Sequence, residues 1–448
     1  MASTSESTPS LPVIFTTRTQ YPLPSQKFMI PASWKRYQLS QLVNKALSLT
    51  HVVPFDFLIQ GEILRGSLAE WSAEKGAGEE ETLEIEYIES IMPPQRMTAL
   101  PHEDWVSSVS CRVPGLFLTA SYDGNIRAFD RTQNLLTTAP THSAPITHLC
   151  VVPTPTSLDT DSHLLATASH DLTARLTQLT LDSSDPTKAT ATTLATLHLH
   201  TAPLSNVAAN ESGTHILTAS WDTLLGVWDT KIPDIDETEL PAAEPARKKR
   251  RREDLEHGNG VSTGKRKAPA GVLRSHTARV SAVQWVSGEN SRAVSCGFDS
   301  TVRLWDVENG VCVHTVAASE KPFLALALPP QASHPHTALA AATDRTVTLV
   351  DLRMATAAAT TGLSFLHTAT PSCIASAGGG APQFVSGAYD GVVRVWDLRS
   401  ASKEMTSFRA WEGGKKVLGV DWATGIVGIA GEGGVELWSV GEDASTSA

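Results

Sequence analysis

Histidine, a hydroxyl and an aspartate are the side chains of a nucleophilic triad, and this chain sets them in register three times. His200, Thr218 and Asp222 form one set, His276, Ser295 and Asp299 the next, and His367, Ser386 and Asp390 the third. A tryptophan follows each aspartate by six residues, at Trp228, Trp305 and Trp396, within WDTLLGVWD, FDSTVRLWD and YDGVVRVWD. A hydrolase needs one activated nucleophile, and three equivalent sets single out none. A partly buried aspartate needs hydrogen-bond donors. Imidazole, hydroxyl and indole N–H can supply them, joining a turn, two strands and an incoming loop in one network. No GxxxxGK phosphate cradle accompanies the sets. They predict structural staples in a protein that is not an enzyme and has no small-molecule substrate.

The elements that hold these sets repeat as well. Weaker copies stand at Asp123 (YDGNIRAFD), Asp171 (HDLTARLTQ) and Asp344 (TDRTVTLVD), and Glu432 takes the turn position in GEGGVELWS. Repetition every ~40–50 residues with a terminal Trp-Asp is the sequence signature of WD40 blades. In the fourth copy Val280–Trp285 alternates, Arg292–Ser295 follows as a strand, and Phe298-Asp299-Ser300 turns the chain into Thr301–Trp305. Units ending near Asp130, Thr177, Asp229, Asp306, Asp351, Asp397 and Trp438 predict a mainly β fold, a seven-bladed WD40 β-propeller over 101–440. Blades one, two, five and seven lack the complete set and are expected to rest on apolar contacts. Residues 93–100 form a linker whose segment Gln95–Leu100 closes the ring as the outer strand of the last blade, removing an open sheet edge.

Residues 11–92 follow another pattern. Val13–Arg18 and Lys27–Pro31 read as a hairpin, and Tyr37–Thr50 as a helix with Leu39, Leu42, Val43, Ala46 and Leu47 on one face. Phe55–Gln60 is a strand, Gly61-Glu62 a turn, Leu68–Lys75 a short helix, and Thr82–Ile88 a strand with Leu83, Ile85 and Tyr87 facing in. This order resembles a small α+β ubiquitin-like domain that runs on into the propeller, a docking module and not a conjugated tag. The Ser/Thr-rich residues 1–10 are expected to be disordered.

The formal charge of −11 argues against a general nucleic-acid coat. Five scattered cysteines without a CxxC argue against a disulfide framework or zinc site, and suit a reducing compartment. No secretory leader or bilayer-length apolar run is evident, so no membrane partner is expected. Within 231–271 lies an insert expected to be disordered, because it is charged and poor in aromatics. It carries Arg247, Lys248, Lys249, Arg250, Arg251 and Arg252, then Lys265, Arg266 and Lys267. Two basic clusters at that separation fit a bipartite nuclear-import signal, an extended segment whose cations meet acidic pockets on a carrier.

The head segments KRYQLSQLVNKAL and VPFDFLIQGEILRGSL, followed by HEDWVSSV and seven repeats, resemble one family: the Ytm proteins, called WD-repeat protein twelve in animals. The resemblance implies a non-enzymatic assembly factor of the large ribosomal subunit, located in nucleolus and nucleoplasm and acting on pre-ribosomal particles. It implies that the propeller binds the propeller of the Erb/block-of-proliferation protein, in a complex that includes pescadillo. It also implies that the head docks on the metal-dependent adhesion domain of the AAA ATPase midasin, with a carboxylate completing the shell of a Mg²⁺ that belongs to midasin. The chain itself then needs no cofactor and binds no metal alone. The family's acidic ligand falls in Lys75–Thr82, and the register set by Leu83 and Tyr87 selects Glu80, with Glu79 and Glu81 beside it. From another functional class, a propeller of this kind could serve as substrate receptor of a ubiquitin ligase. Co-purification with a cullin, and none with ribosome precursors, distinguishes that reading.

Overall fold

The computed structural model describes residues 9–49, 51–76, 82–90, 92–153, 162–182, 188–237, 264–330, 334–353, 360–378, 380–400 and 403–441. Two compact units divide the chain, the first built mainly from the residues up to Pro93 and the second from Pro94 onward.

The N-terminal unit runs β1 (Ser10–Thr16), β2 (Lys27–Pro31), α1 (Arg36–Leu47), β3 (Phe55–Ile59), β4 (Glu62–Ile63), α2 (Leu68–Lys75) and β5 (Leu83–Glu89). Its sheet has the order β2-β1-β5-β3-β4, with β1 and β5 parallel at the centre. Alternation along β5 sends Leu83, Ile85 and Tyr87 into the core, where Val13, Phe15, Phe55, Phe57, Leu39 and Val43 meet them. The Tyr87 hydroxyl accepts from Leu23 N (2.9 Å) and donates to the Tyr21 carbonyl, so its one polar atom is paired inside the aromatic cluster. Helix α1 ends earlier than its periodicity predicts, because Ser48 adopts a left-handed conformation (φ 52°) that stops the ladder. Asn44 then ties the helix to the next segment through both backbone groups of Val53. Helix α2 opens on a capping box, Ser67 Oγ accepting from Glu70 N (3.2 Å) and Glu70 Oε2 from Ser67 N (3.0 Å), and ends at left-handed Gly76. Ser10 belongs to β1, its backbone pairing with Pro31, which corrects the expectation of disorder at that residue; residues 1–8 lie outside the described residues.

The second unit is a seven-bladed β-propeller. Its sheets follow one plan, shown by the fourth: Val280–Trp285, Arg292–Gly297, Val302–Asp306 and Val311–Val316, antiparallel in sequence order. The first strands of successive blades pack on one another round a closed ring, from Val106–Ser110 to Val417–Ala423 and back. The seventh blade takes its outer strand, Gln95–Leu100, from ahead of the first, pairing it with Gly434–Ser439. Second and third strands are the most apolar, as both faces are covered by neighbouring blades.

The basic insert departs from the expectation of one disordered stretch. Lys265–Lys267 forms a fifth strand on the second blade, parallel to Ala189–His198, and Gly271–Arg274 is the outer strand of the third. Arg266 N donates to Asp236 Oδ1 (2.8 Å) and Glu237 N to the Arg266 carbonyl (2.9 Å), closing the base of the insert. Lys267 is buried, its ammonium paired with Asp229 and the Lys231 carbonyl. Desolvation is tolerable there only because both partners are present. Lys267 is thus committed to the fold, which corrects its assignment to an exposed import signal. Residues Arg247–Arg252 lie outside the described residues.

Candidate functional site

The turn aspartates have two duties that the geometry separates. One oxygen accepts the N–H two residues on, as Asp299 Oδ1 does from Thr301 N (3.3 Å), Asp222 Oδ1 from Leu224 N (3.0 Å) and Asp344 Oδ1 from Thr346 N (3.1 Å). That closes a turn whose middle residue is left-handed, tolerably in Gly391 (φ 75°) and at some cost in Ser300 (φ 60°). The second oxygen reaches the histidine.

In blade four His276 Nδ1 lies 2.8 Å from Asp299 Oδ2 and Nε2 lies 2.7 Å from Ser295 Oγ, which also accepts from Trp305 Nε1 (2.8 Å). A carboxylate only accepts, so Nδ1 carries the proton and the chain runs one way: indole to hydroxyl, hydroxyl to Nε2, Nδ1–H to carboxylate. Blade three repeats it, with His200 Nδ1 2.9 Å from Asp222, Nε2 2.8 Å from Thr218 Oγ1, and Trp228 Nε1 2.9 Å from the same hydroxyl. The spacing is that of an acyl-transfer triad, yet Ser295 and Thr218 are 0% exposed. No substrate reaches a hydroxyl that is sealed and already holds an indole N–H. The indole bonds the hydroxyl and not the aspartate: it sits on the next strand, two residues along from the position opposite the hydroxyl.

Blade six differs from the expected set. His367 Nε2 is 2.7 Å from Ser386 Oγ, but Nδ1 turns to the Phe365 carbonyl (3.0 Å). Asp390 Oδ2 draws on Thr368 Oγ1 (2.6 Å) and Arg394 (3.0 Å) in place of the imidazole. Trp396 is buried in the same blade.

Blade two overturns the expectation of apolar packing alone. His142 Nδ1 lies 2.8 Å from Asp171 and Nε2 2.8 Å from Thr167 Oγ1, with Thr177 standing where a tryptophan would be. In blade one His102 holds Thr119 (2.9 Å) and the Leu100 carbonyl. The signal was present: HSAP at 142–145 parallels HTAP at 200–203. An arginine four residues after the aspartate was legible too. Arg127, Arg303 and Arg394 reach Asp123, Asp299 and Asp390 at 2.5, 3.3 and 3.0 Å.

Electrostatics follow from these contacts. Burial pushes the Asp299 and Asp171 carboxyls up, but the hydrogen bond from the partner histidine, with the turn donors added, holds both well below the usual carboxylate range. Asp222 and Asp390 are also lowered, burial being outweighed by His200 in one and by Thr368 and Arg394 in the other. Burial drives the Cys150, Cys296 and Cys373 thiols up to about 12, so none is a ready nucleophile. Among the described residues no group of three or more His, Cys, Asp or Glu side chains could hold a metal, and no helix is long and apolar enough to cross a membrane.

The acidic loop of the head is bracketed by Gly76 at the end of α2 and Leu83 at the start of β5. Glu79, Glu80 and Glu81 themselves lie outside the described residues.

Comparison with known proteins adds to this geometry. Residues 11–72 match the NLE (NUC135) domain, and 191–229, 267–306 and 364–397 match the WD domain, G-beta repeat. Those three segments end on the three full Trp-Asp copies. The chain is 58% identical over 98% of its length to a protein named ribosome biogenesis protein YTM1 from Laccaria bicolor, of which 97% is covered. It is 55% identical over 98% of its length to the protein of that name from Coprinopsis cinerea, again 97% covered. The Saccharomyces cerevisiae (strain ATCC 204508 / S288c) protein is 31% identical, over 90% of each chain.

Proposed function

The chain belongs to the YTM1 family of ribosome biogenesis proteins, and on that premise we propose that it is a non-catalytic assembly factor of the large ribosomal subunit. The observation that carries this is the match of both units, head and propeller together, along nearly the whole chain. The sealed hydroxyls support the non-catalytic part. In this reading the propeller binds the propeller of an Erb/block-of-proliferation partner in a pescadillo-containing complex. The head is ubiquitin-like and docks on midasin, and the ATPase removes the complex from pre-ribosomes. Glu80 supplies the oxygen ligand to midasin's Mg²⁺, since a hard cation favours a carboxylate. Gly76 supports the geometry by turning the chain sharply out of α2 just ahead of the loop. The protein works in nucleolus and nucleoplasm, and Arg247–Arg252 carry the import address without Lys267.

The decisive experiment is Glu80→Ala. The variant folds, retains the Erb-type partner and loses the midasin adhesion domain, and EDTA abolishes wild-type binding in the same way. In cells the tagged variant enters pre-ribosomes and is retained there, while alanines at Arg247–Arg252 shift the protein to the cytoplasm. Unchanged affinity of Glu80→Ala in Mg²⁺, with no effect of EDTA, contradicts the metal bridge. Loss with Glu79 or Glu81 instead moves the ligand by one residue and leaves the mechanism standing.

A further inference from the structure

One end of the propeller channel is organised by a hydrogen bond that recurs from blade to blade. The residue leaving each second strand donates its N–H to the carbonyl of the residue ahead of the first strand. Examples are Tyr122 N to Trp105 O (2.8 Å), Phe298 N to Arg279 O (2.9 Å) and Glu432 N to Lys416 O (3.1 Å). The repeated bond gathers these pairs round a single rim. The turn aspartates, spent on their own turns and histidines, stand behind it.

The rim is chemically unlike the rest of the surface. Trp105, Trp221 and Tyr389 are 43, 41 and 41% exposed, and among the described residues every strongly exposed aromatic of the propeller lies here. Trp105 rests on Tyr122, ring centroids 5.9 Å apart. The Arg279 guanidinium lies 3.4 Å from the Phe298 ring centroid and 5.2 Å from that of Trp221. Stacking on two rings fixes the plane of the guanidinium and leaves its N–H edges for a ligand. Among the described residues no carboxylate pairs with Arg279, nor with Lys321 or Lys415 on the same rim, although the chain carries a net charge of −11. Tyr389 is within electrostatic reach of Arg279, Lys416 and Tyr122, as residues of one rim are.

We propose that this rim is a docking site for an extended acidic segment of a partner protein. A carboxylate of the segment sits in the plane of the Arg279 fork, and its apolar side chains cover Trp105, Trp221 and Tyr389. Preoriented arginine favours bidentate recognition of a carboxylate, and exposed aromatics with an arginine are the residue types that dominate binding energy at interfaces. A single-stranded nucleic acid would also meet aromatics and a cation. The rim disfavours it, because a strand carries a charge at every nucleotide and needs a continuous basic track, which Glu103, Asp104, Glu320 and Glu432 interrupt. One carboxylate among apolar side chains needs only the Arg279 fork. The site is independent of the metal contact proposed for the head.

The test is a random-peptide selection on the immobilised full-length protein, followed by binding of the winning peptide in solution. The winners carry Asp or Glu beside aromatic or aliphatic residues. Affinity falls about tenfold or more in Arg279→Gln, and also falls in Tyr389→Ala, with the melting temperature of both variants near that of wild type. Replacing Glu by Gln in the peptide gives the same loss, and oligouridylate does not compete. The proposal is overturned by a selection that returns no binder, by winners without acidic residues, by undiminished binding to both variants, or by oligouridylate binding that Arg279→Gln abolishes. Should Arg279→Gln melt early, Tyr389→Ala and the Gln-for-Glu peptide decide the matter alone.

Discussion

Blades four and five are neighbours with the same four-strand plan, and they are filled by opposite means. Blade four buries a chain of hydrogen bonds from Trp305 through Ser295 and His276 to Asp299. At the matching positions blade five has Val350 and Ala340, both 0% exposed, packed with Phe323, Ala338 and Ala342. Asp344 keeps only the first aspartate duty, closing its own turn onto Thr346 N and Oγ1. A blade therefore forms from strand pairing, apolar alternation and the turn alone. The polar chain is added where a histidine and a hydroxyl are buried together, with an indole beside them in blade four and without one in blade two. There it becomes indispensable, since each buried donor needs its acceptor.

The largest effect should come from breaking the chain in blade four. Asp299→Ala strips the acceptor from His276 Nδ1, Thr277 N, Arg303 and both donors of Thr301. Each buried group left unsatisfied costs roughly 1–3 kcal/mol, and thermal denaturation should show a clear drop. A melting temperature equal to wild type would mean that blade four is held no differently from blade five.

Acid should act next. Burial lowers His148 from 6.5 to about 4 and also lowers His142, whereas the outward strands of blade five bury no histidine of their own. The folded pKa lies below the unfolded one, so the unfolded chain binds more protons in that window. Stability is full above about 6.5 and declines as pH falls towards 4. Melting recorded from pH 7 to pH 5 should fall, and more gently in His148→Gln. The aspartates add their own loss only below the usual carboxylate range, because their folded pKa values are depressed. A melting curve flat over this range contradicts the assignment.

The smallest effect belongs to Asp344→Ala. This side chain is exposed and gives up only turn contacts, a matter of about 0.5–1 kcal/mol. A loss as large as that of Asp299→Ala would show that the turn, and not the histidine chain, carries the stability of both blades.

Much of this was legible in the residues, for identifiable reasons. The Asp-to-Trp spacing gives strand, turn and strand at once, and Gln95–Leu100 follows from a ring that lacked one outer strand. His142 was hidden because blade two has no tryptophan at Thr177 to advertise the set. His367 illustrates the converse: the residue types stand in register, yet Thr368 and Arg394 take the carboxylate first. Lys265–Lys267 read as loop because charge and spacing say nothing of a strand that pairs with Ala189–His198, far back in sequence. The rim round Arg279 was invisible for a similar reason. Its members come one or two to a blade, dispersed from Trp105 to Glu432, and only ring closure brings them together.

The central claim, that histidine, hydroxyl and aspartate form one continuous structural chain, is tested most directly by a double-mutant cycle between Ser295→Ala and Asp299→Ala in denaturant unfolding. These residues communicate through His276, so the double variant should lose less than the sum of the singles, with a coupling of about 1 kcal/mol. Additivity to within ~0.3 kcal/mol would show two independent contacts and contradict the account.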